Sequence, residues 1–143
     1  MKTCGLCLLA ALALVSARVA LGAPLQQYTS GGHALAFERG GYYVSNGTYA
    51  LRVCFESAQA VAPDTDDGEQ GASGDGKVAA LRRVSYAGLW TGISVTYDAA
   101  PGGVARSTWT LEPGADPVAI RLVYNRAVTL ANDGSLSVAF DTG

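Results

Sequence analysis

The chain is poor in the residues that most often do chemistry. Its 143 residues include one histidine, three cysteines and one methionine, and only 15% are charged. One histidine, with the single cysteine that remains once Cys4 and Cys7 leave with an N-terminal leader, falls short of the three or four nitrogen and sulfur ligands that zinc takes. Three cysteines do not build a disulfide scaffold. Ten basic residues face twelve acidic ones, which excludes a nucleic-acid binder held by bulk charge. No apolar run reaches the roughly 20 residues that a helix needs to cross about 30 Å of hydrocarbon. The 18 glycines follow no three-residue period, so the chain is not collagen-like. What remains is ordinary for a folded protein: 49% hydrophobic residues and a net charge of −2 exclude a disordered chain. The length suits one domain rather than two.

The N-terminus has the layout of a secretory leader. Lys2 supplies a positive start, Leu6–Val15 is an apolar run, and small residues follow in VSARVALGAP. Cleavage after Gly22 is preferred to cleavage after Ala17, because it discards Arg18. The expected organisation is a signal peptide at 1–22, a linker at 23–30 and a β-sandwich-like domain at 31–143. That domain is expected to be truncated at its C-terminus, since the chain stops directly after a strand at Asp141-Thr142-Gly143. Export removes Cys4 and Cys7 and leaves Cys54, read as a small core residue rather than a reactive thiol. The mature chain then carries 8 basic and 12 acidic residues.

The remainder reads as short strands and turns. His33–Phe37 and Tyr42–Val44 flank the turn Glu38–Gly41, and Ser45-Asn46-Gly47 is a hairpin signal. In Thr48–Glu56, Tyr49, Leu51, Val53 and Phe55 fall on one face, the clearest period of two in the chain. Residues 63–77 hold five carboxylates and no large apolar side chain, and read as a flexible acidic surface loop. Val78–Val84 reads as a helical turn or the lead into a strand. Further strands are expected at Ile93–Tyr97, Ala105–Leu111, Val118–Tyr124 and Ser135–Phe140, punctuated by bends at Trp90-Thr91-Gly92, Pro101-Gly102-Gly103, Glu112–Pro117 and Asp133-Gly134. Strands with almost no helical period predict an all-β, antiparallel sandwich or barrel, and the length of about 120 residues left after leader removal suits a sandwich.

Three stretches carry a family resemblance: VSYAGLWTGISVTYD (Val84–Asp98), LEPGADPVAIRLVY (Leu111–Tyr124) and LANDGSLSV (Leu130–Val138). Together with GGHALAFERGGYYVSNGTYALRVCFE (Gly31–Glu56), they resemble the N-terminal β-rich domain of bacterial surface proteins that carry SBBP repeats, a β-propeller-type repeat. The most specific piece is the Pro-Gly-Ala-Asp-Pro loop followed by an alternating strand. The family's middle is longer, and residues 63–77 look like a shortened acidic substitute for it. The resemblance implies an exported, extracellular or cell-surface role. It implies no defined activity, no cofactor and no catalytic residue.

Several motifs have plainer readings beside the functional ones. Residues 71–78 have phosphate-loop spacing up to Lys77, but Val78 stands where a magnesium-binding hydroxyl belongs, and acidic residues precede the loop. Asp141-Thr142-Gly143 matches the aspartic-protease signature without the surrounding chain that such a site needs. Asp64, Asp66, Asp67 and Glu69 could offer oxygens to calcium, but their spacing is not that of an EF-hand. His33 would have to anchor any triad, and no nucleophile elbow accompanies it. Trp90, Trp109, Tyr42, Tyr43, Tyr97 and Tyr124 read as packing residues before they read as a glycan- or peptide-binding face. Adjacent Tyr42 and Tyr43 must point to opposite faces. Asn46-Gly47-Thr48 is a glycosylation sequon that, in a bacterial protein, is only a turn.

The expectation is a noncatalytic exported β domain of a bacterial cell-surface or secreted protein, serving assembly or adhesion through a cell-surface protein or glycan partner. A carbohydrate- or peptide-binding module is the alternative, and part of a secreted hydrolase the third reading. No catalytic, cofactor or metal residues are assigned, and the ligand-binding residues are left open.

Overall fold

The computed structural model describes residues 26–65 and 78–140. Strands and turns dominate them, in keeping with the all-β expectation. The antiparallel run β1 (Gln26–Ser30), β2 (His33–Glu38), β3 (Gly41–Ser45) and β4 (Ala50–Phe55) forms the centre of a six-stranded sheet. A four-stranded sheet is built from β5 (Asp64–Thr65), β7 (Arg83–Trp90), β8 (Ile93–Ala99) and β9 (Ala105–Leu111), in the order β5-β7-β8-β9. Two short strands close the ends of the larger sheet: β6 (Ala79–Ala80) pairs parallel with β1, and β10 (Leu122–Tyr124) pairs with β4. The hairpin of β11 (Val128–Leu130) and β12 (Leu136–Val138) makes a separate two-stranded sheet.

The two larger sheets face each other across one core. Leu35, Phe37, Val53 and Phe55 from one meet Val84, Tyr86, Ile93, Val95 and Tyr97 from the other, all buried. Aromatic rings bridge the layers: Phe37 to Tyr97 at 5.4 Å, Tyr42 to Tyr97 at 5.0 Å and Phe55 to Tyr86 at 5.1 Å between centroids. The alternation in β4 has its expected consequence, with Val53 and Phe55 buried and Ala50, Arg52 and Glu56 exposed. Tyr86 also ties the layers by a polar contact. Its hydroxyl donates to the Glu38 carbonyl at 2.8 Å, with the Gly41 carbonyl at 3.1 Å, and so holds the β2–β3 turn from the opposite sheet.

Several local expectations change. The segment read as a linker contributes β1, whose Tyr28 is buried and whose residues pair with β2 along its whole length. One large apolar residue in five is too weak a pattern to announce a strand; the partner supplies the rest. Asp64–Thr65, read as the start of a loop, pairs with β7, and residues 66–77 of that loop lie outside the described residues. Val78–Val84 leads into strands and is not helical. The expected strand Val118–Tyr124 keeps only Leu122–Tyr124. Its beginning is a 3₁₀ turn, Pro117–Ala119, because the Asp116 side chain accepts from the Val118 N–H and Pro117 favours a first helical position. Val128–Leu130, where no strand is expected, forms one. Cys54 is half-buried on the face opposite Val53 and Phe55, and so is not a core residue.

Candidate functional site

Three loops gather at the Ile93 end of β8. The first follows β4 and carries Ser57 and Gln59; the second is the β7–β8 turn at Thr91-Gly92; the third runs from Glu112 to Asp116 after β9. Between them lies a cleft of about 460 Å³. The strands dictate this meeting, since Trp90 pairs with Ile93 across the turn and Ile93 pairs with Leu111 at the end of β9.

Backbone hydrogen bonds fix each loop. The Glu112 N–H donates to the Gly92 carbonyl at 2.8 Å, and the Gln59 N–H donates to the Leu89 carbonyl at 2.7 Å. The Ala115 N–H donates back to the Glu112 carbonyl at 3.0 Å. Gly92 has φ +70°, and a Cβ there would stand 3.1 Å from the Ala115 Cβ, so a larger residue would press the second loop into the third. Ser57 is the one non-glycine residue with positive φ among the described residues, at 56°.

Trp90 lines the cleft but is only 6% exposed. Its indole N–H donates to the Glu56 carbonyl at 3.1 Å, and its ring packs on Phe55 and on Trp109, at 6.1 and 6.0 Å. The lining mixes apolar residues, among them Leu89, Pro113 and Ala119, with two carboxylates, Glu112 and Asp116, the hydroxyls of Ser57 and Thr91 and the amide of Gln59. No ion pair neutralises either carboxylate among the described residues. Asp116 spends one oxygen on the Val118 N–H at 3.0 Å. Such a cleft suits a cationic or hydrogen-bonding group.

His33 is not part of this arrangement. It stands at the β1–β2 turn, where its Nδ1 lies 2.9 Å from the Gly31 carbonyl. That turn abuts the opposite end of β8: Ser30 Oγ donates to the Val104 carbonyl at 2.6 Å. The seven residues of β8 put the two ends about 20 Å apart. His33 therefore cannot exchange a proton with a group held by Glu112 or Asp116 without rearrangement of the fold.

The aromatics divide by layer. Tyr97 is buried and Tyr42 partly so, and they pack together; burial pushes the Tyr42 phenol up to about 12, with Tyr124 adding to the rise. Burial raises Tyr97 and Tyr86 further in the same direction. Tyr43 takes the outer face, with the Arg52 guanidinium 5.4 Å from its ring centroid. Tyr124 is half-buried in β10. Trp90 and Trp109 are the only members of the group that meet beside the cleft. Asp64 lies in β5 and accepts from the Thr65 N–H. Asp66, Asp67, Glu69, the phosphate-loop spacing at 71–77 and Asp141-Thr142-Gly143 lie outside the described residues.

The Pro-Gly-Ala-Asp-Pro stretch of the Glu112–Pro117 loop belongs to the most specific piece of the resemblance, but the sequence assigns that loop no role. Its carboxylates become neighbours of Ser57 and Gln59 only through the sandwich, and no local pattern links those positions.

The fold and cleft define an all-β sandwich domain whose loops form a recess bearing two carboxylates at one end. Residues 66–143 match the family described as a domain of unknown function (DUF7948), and the chain belongs to that family. The matched region contains the second and third loops of the cleft, though not Ser57 and Gln59. No curated protein and no solved structure matches the chain. No helix among the described residues is long and apolar enough to cross a membrane.

Proposed function

We propose that the chain is a noncatalytic module of an exported, surface-associated bacterial protein. It serves assembly or adhesion by seating a basic side chain of a partner polypeptide in the loop-end cleft. The observation that carries this reading is the cleft itself: about 460 Å³, with Glu112 and Asp116 left without a cationic partner among the described residues. The leader layout at residues 1–22 and the resemblance to the N-terminal domain of SBBP-repeat proteins support the exported setting. A glycan is the second reading, favoured by the hydroxyl and amide groups of the lining. It is weaker because Trp90 offers almost no free ring face for a sugar to stack on.

The test is titration of the purified chain with short extended peptides containing a central arginine, beside neutral oligosaccharides. Binding of the peptides, lost in Thr91→Arg, supports the reading, because that substitution places a guanidinium in the cleft's own rim. Binding of the oligosaccharides alone would overturn it in favour of the glycan reading. Retained peptide binding in Thr91→Arg would remove the cleft from the argument.

A further inference from the structure

The four-stranded sheet ends on β9, and among the described residues nothing pairs with its outer edge. This edge has none of the usual protections against pairing. Ala105–Leu111 is seven residues long, contains no proline and no lysine, has no bulge in its register with β8, and carries a single charge, Arg106.

The backbone direction of each β9 residue follows from the ladder. The Glu112 N–H bonds to Gly92, and antiparallel pairs alternate between bonded and non-bonded. Thr110, Thr108 and Arg106 therefore turn their backbone groups toward β8. Leu111, Trp109, Ser107 and Ala105 turn theirs to the open side. Their side chains share the inward face, since their β8 partners Ile93, Val95 and Tyr97 are buried.

We infer that β9 pairs antiparallel with β9 of a second copy of this chain, about a two-fold axis through Thr108, joining the two four-stranded sheets into one. The register is set by the strand itself. Centring on Thr108 places Ser107 opposite Trp109 and Ala105 opposite Leu111, so each outward-turned residue meets another. All four such pairs form, giving up to about eight backbone hydrogen bonds.

The side chains agree with that register. Leu111 is 39% exposed in the single chain. In the pair it falls opposite Ala105 of the other copy, on the inward face. There a depression of about 160 Å³ opens between β9 and β3, lined by Ala105, Ser107, Val104, Tyr42 and Val44 among others. Each copy thus offers an apolar side chain to the other's depression, which is the self-complementarity that a two-fold interface requires.

Charge agrees as well. Arg106 and Glu112 have no ion-pair partner among the described residues of one chain. Across the axis Arg106 is diagonal to Glu112 of the other copy, within reach of long side chains, so that in the pair Asp116 is the cleft carboxylate that stays free for a basic side chain. No like charges stand directly opposite.

The experiment is sedimentation equilibrium of the purified chain over a concentration series. The expected result is a reversible monomer–dimer equilibrium. Thr108→Lys sets two ammonium groups face to face on the axis and is expected to weaken dimerisation by up to about fivefold. Ser107→Pro removes only an N–H that faces away from β8, so the sheet is kept while the interface is lost. Arg106→Glu and Glu112→Arg each weaken the dimer, and the double exchange restores it. Circular dichroism on each variant checks that the fold persists. A chain that stays monomeric at every concentration would overturn the inference, as would a dimer indifferent to both Thr108→Lys and Ser107→Pro. Thr108 lines neither the cleft nor the core, so failure here leaves the peptide-binding result of Thr91→Arg standing on its own.

Discussion

Replacing Tyr86 by phenylalanine removes one oxygen from the interior and keeps the ring. Tyr86 is fully buried, and its hydroxyl donates to the Glu38 carbonyl at 2.8 Å. The ring itself is held by edge contacts to Phe55 at 5.1 Å and Tyr97 at 6.3 Å. Those contacts survive, so no large cavity opens and the loss is that of the hydrogen bond. A net hydrogen bond contributes about 1 kcal/mol, and a carbonyl left buried without its donor raises the cost toward about 2 kcal/mol. For a domain of this size that is a fall in Tm of roughly 2–8 °C. Urea unfolding followed by circular dichroism measures it directly, as a lower midpoint at an unchanged m-value. Phe37→Ala gives the scale for lost packing, at about 3–5 kcal/mol. A Tyr86→Phe variant as stable as the parent would refute the idea that this hydroxyl joins the β2–β3 turn to the second sheet. A loss as large as that of Phe37→Ala would show that the ring, not the oxygen, had been disturbed.

Two further outcomes follow from the interior. Gly41→Ala would bring a Cβ to 2.0 Å from the Val53 carbonyl oxygen, a backbone atom that cannot step aside, so the expected loss is about 3 kcal/mol or more, or failure to fold. Gly47→Ala, at φ +90° with nothing within 4 Å, meets only the left-handed penalty of about 1–2 kcal/mol, and equal losses in the two variants would contradict the steric account. The buried phenols make the fold sensitive to alkali. Tyr42 titrates at 10.0 in the open chain and about 12 when folded, so its protonated form favours the folded state. That contribution is complete below pH 10 and is lost as the pH climbs through about 12, with Tyr86 and Tyr97 acting in the same direction. Tyrosinate absorbance followed together with circular dichroism checks this, and early ionisation of all seven tyrosines with the fold intact would count against it.

How much was legible in the residues depended on whether the signal was local. Leu51, Val53 and Phe55 alternate within β4, and Val53 and Phe55 are the residues of that face that become buried. Asn46-Gly47 forms its hairpin turn because the Asn46 side chain accepts the Thr48 and Tyr49 N–H groups within the same few residues. By contrast Gln26–Ser30 has almost no pattern of its own and becomes a strand because β2 and β6 lie on either side of it. Cys54 sits in an apolar stretch yet faces outward, because the phase of the strand is set by its neighbours. Val118–Tyr124 alternates well, but Asp116 and Pro117 cap a 3₁₀ turn at its start and delay the strand until Leu122.

The order of apolar and turn residues by itself determined that this protein is built of strands, and determined most of their inward faces, because alternation and turn chemistry act over a few neighbouring positions. Only the tertiary structure decided that Ser57, Thr91 and Asp116 line one recess, that His33 stands at the far end of β8 from it, and that β9 is an edge strand among the described residues. Those relations are set by which sheets pair and how they stack, and contacts between positions so far apart along the chain leave no periodic trace in it.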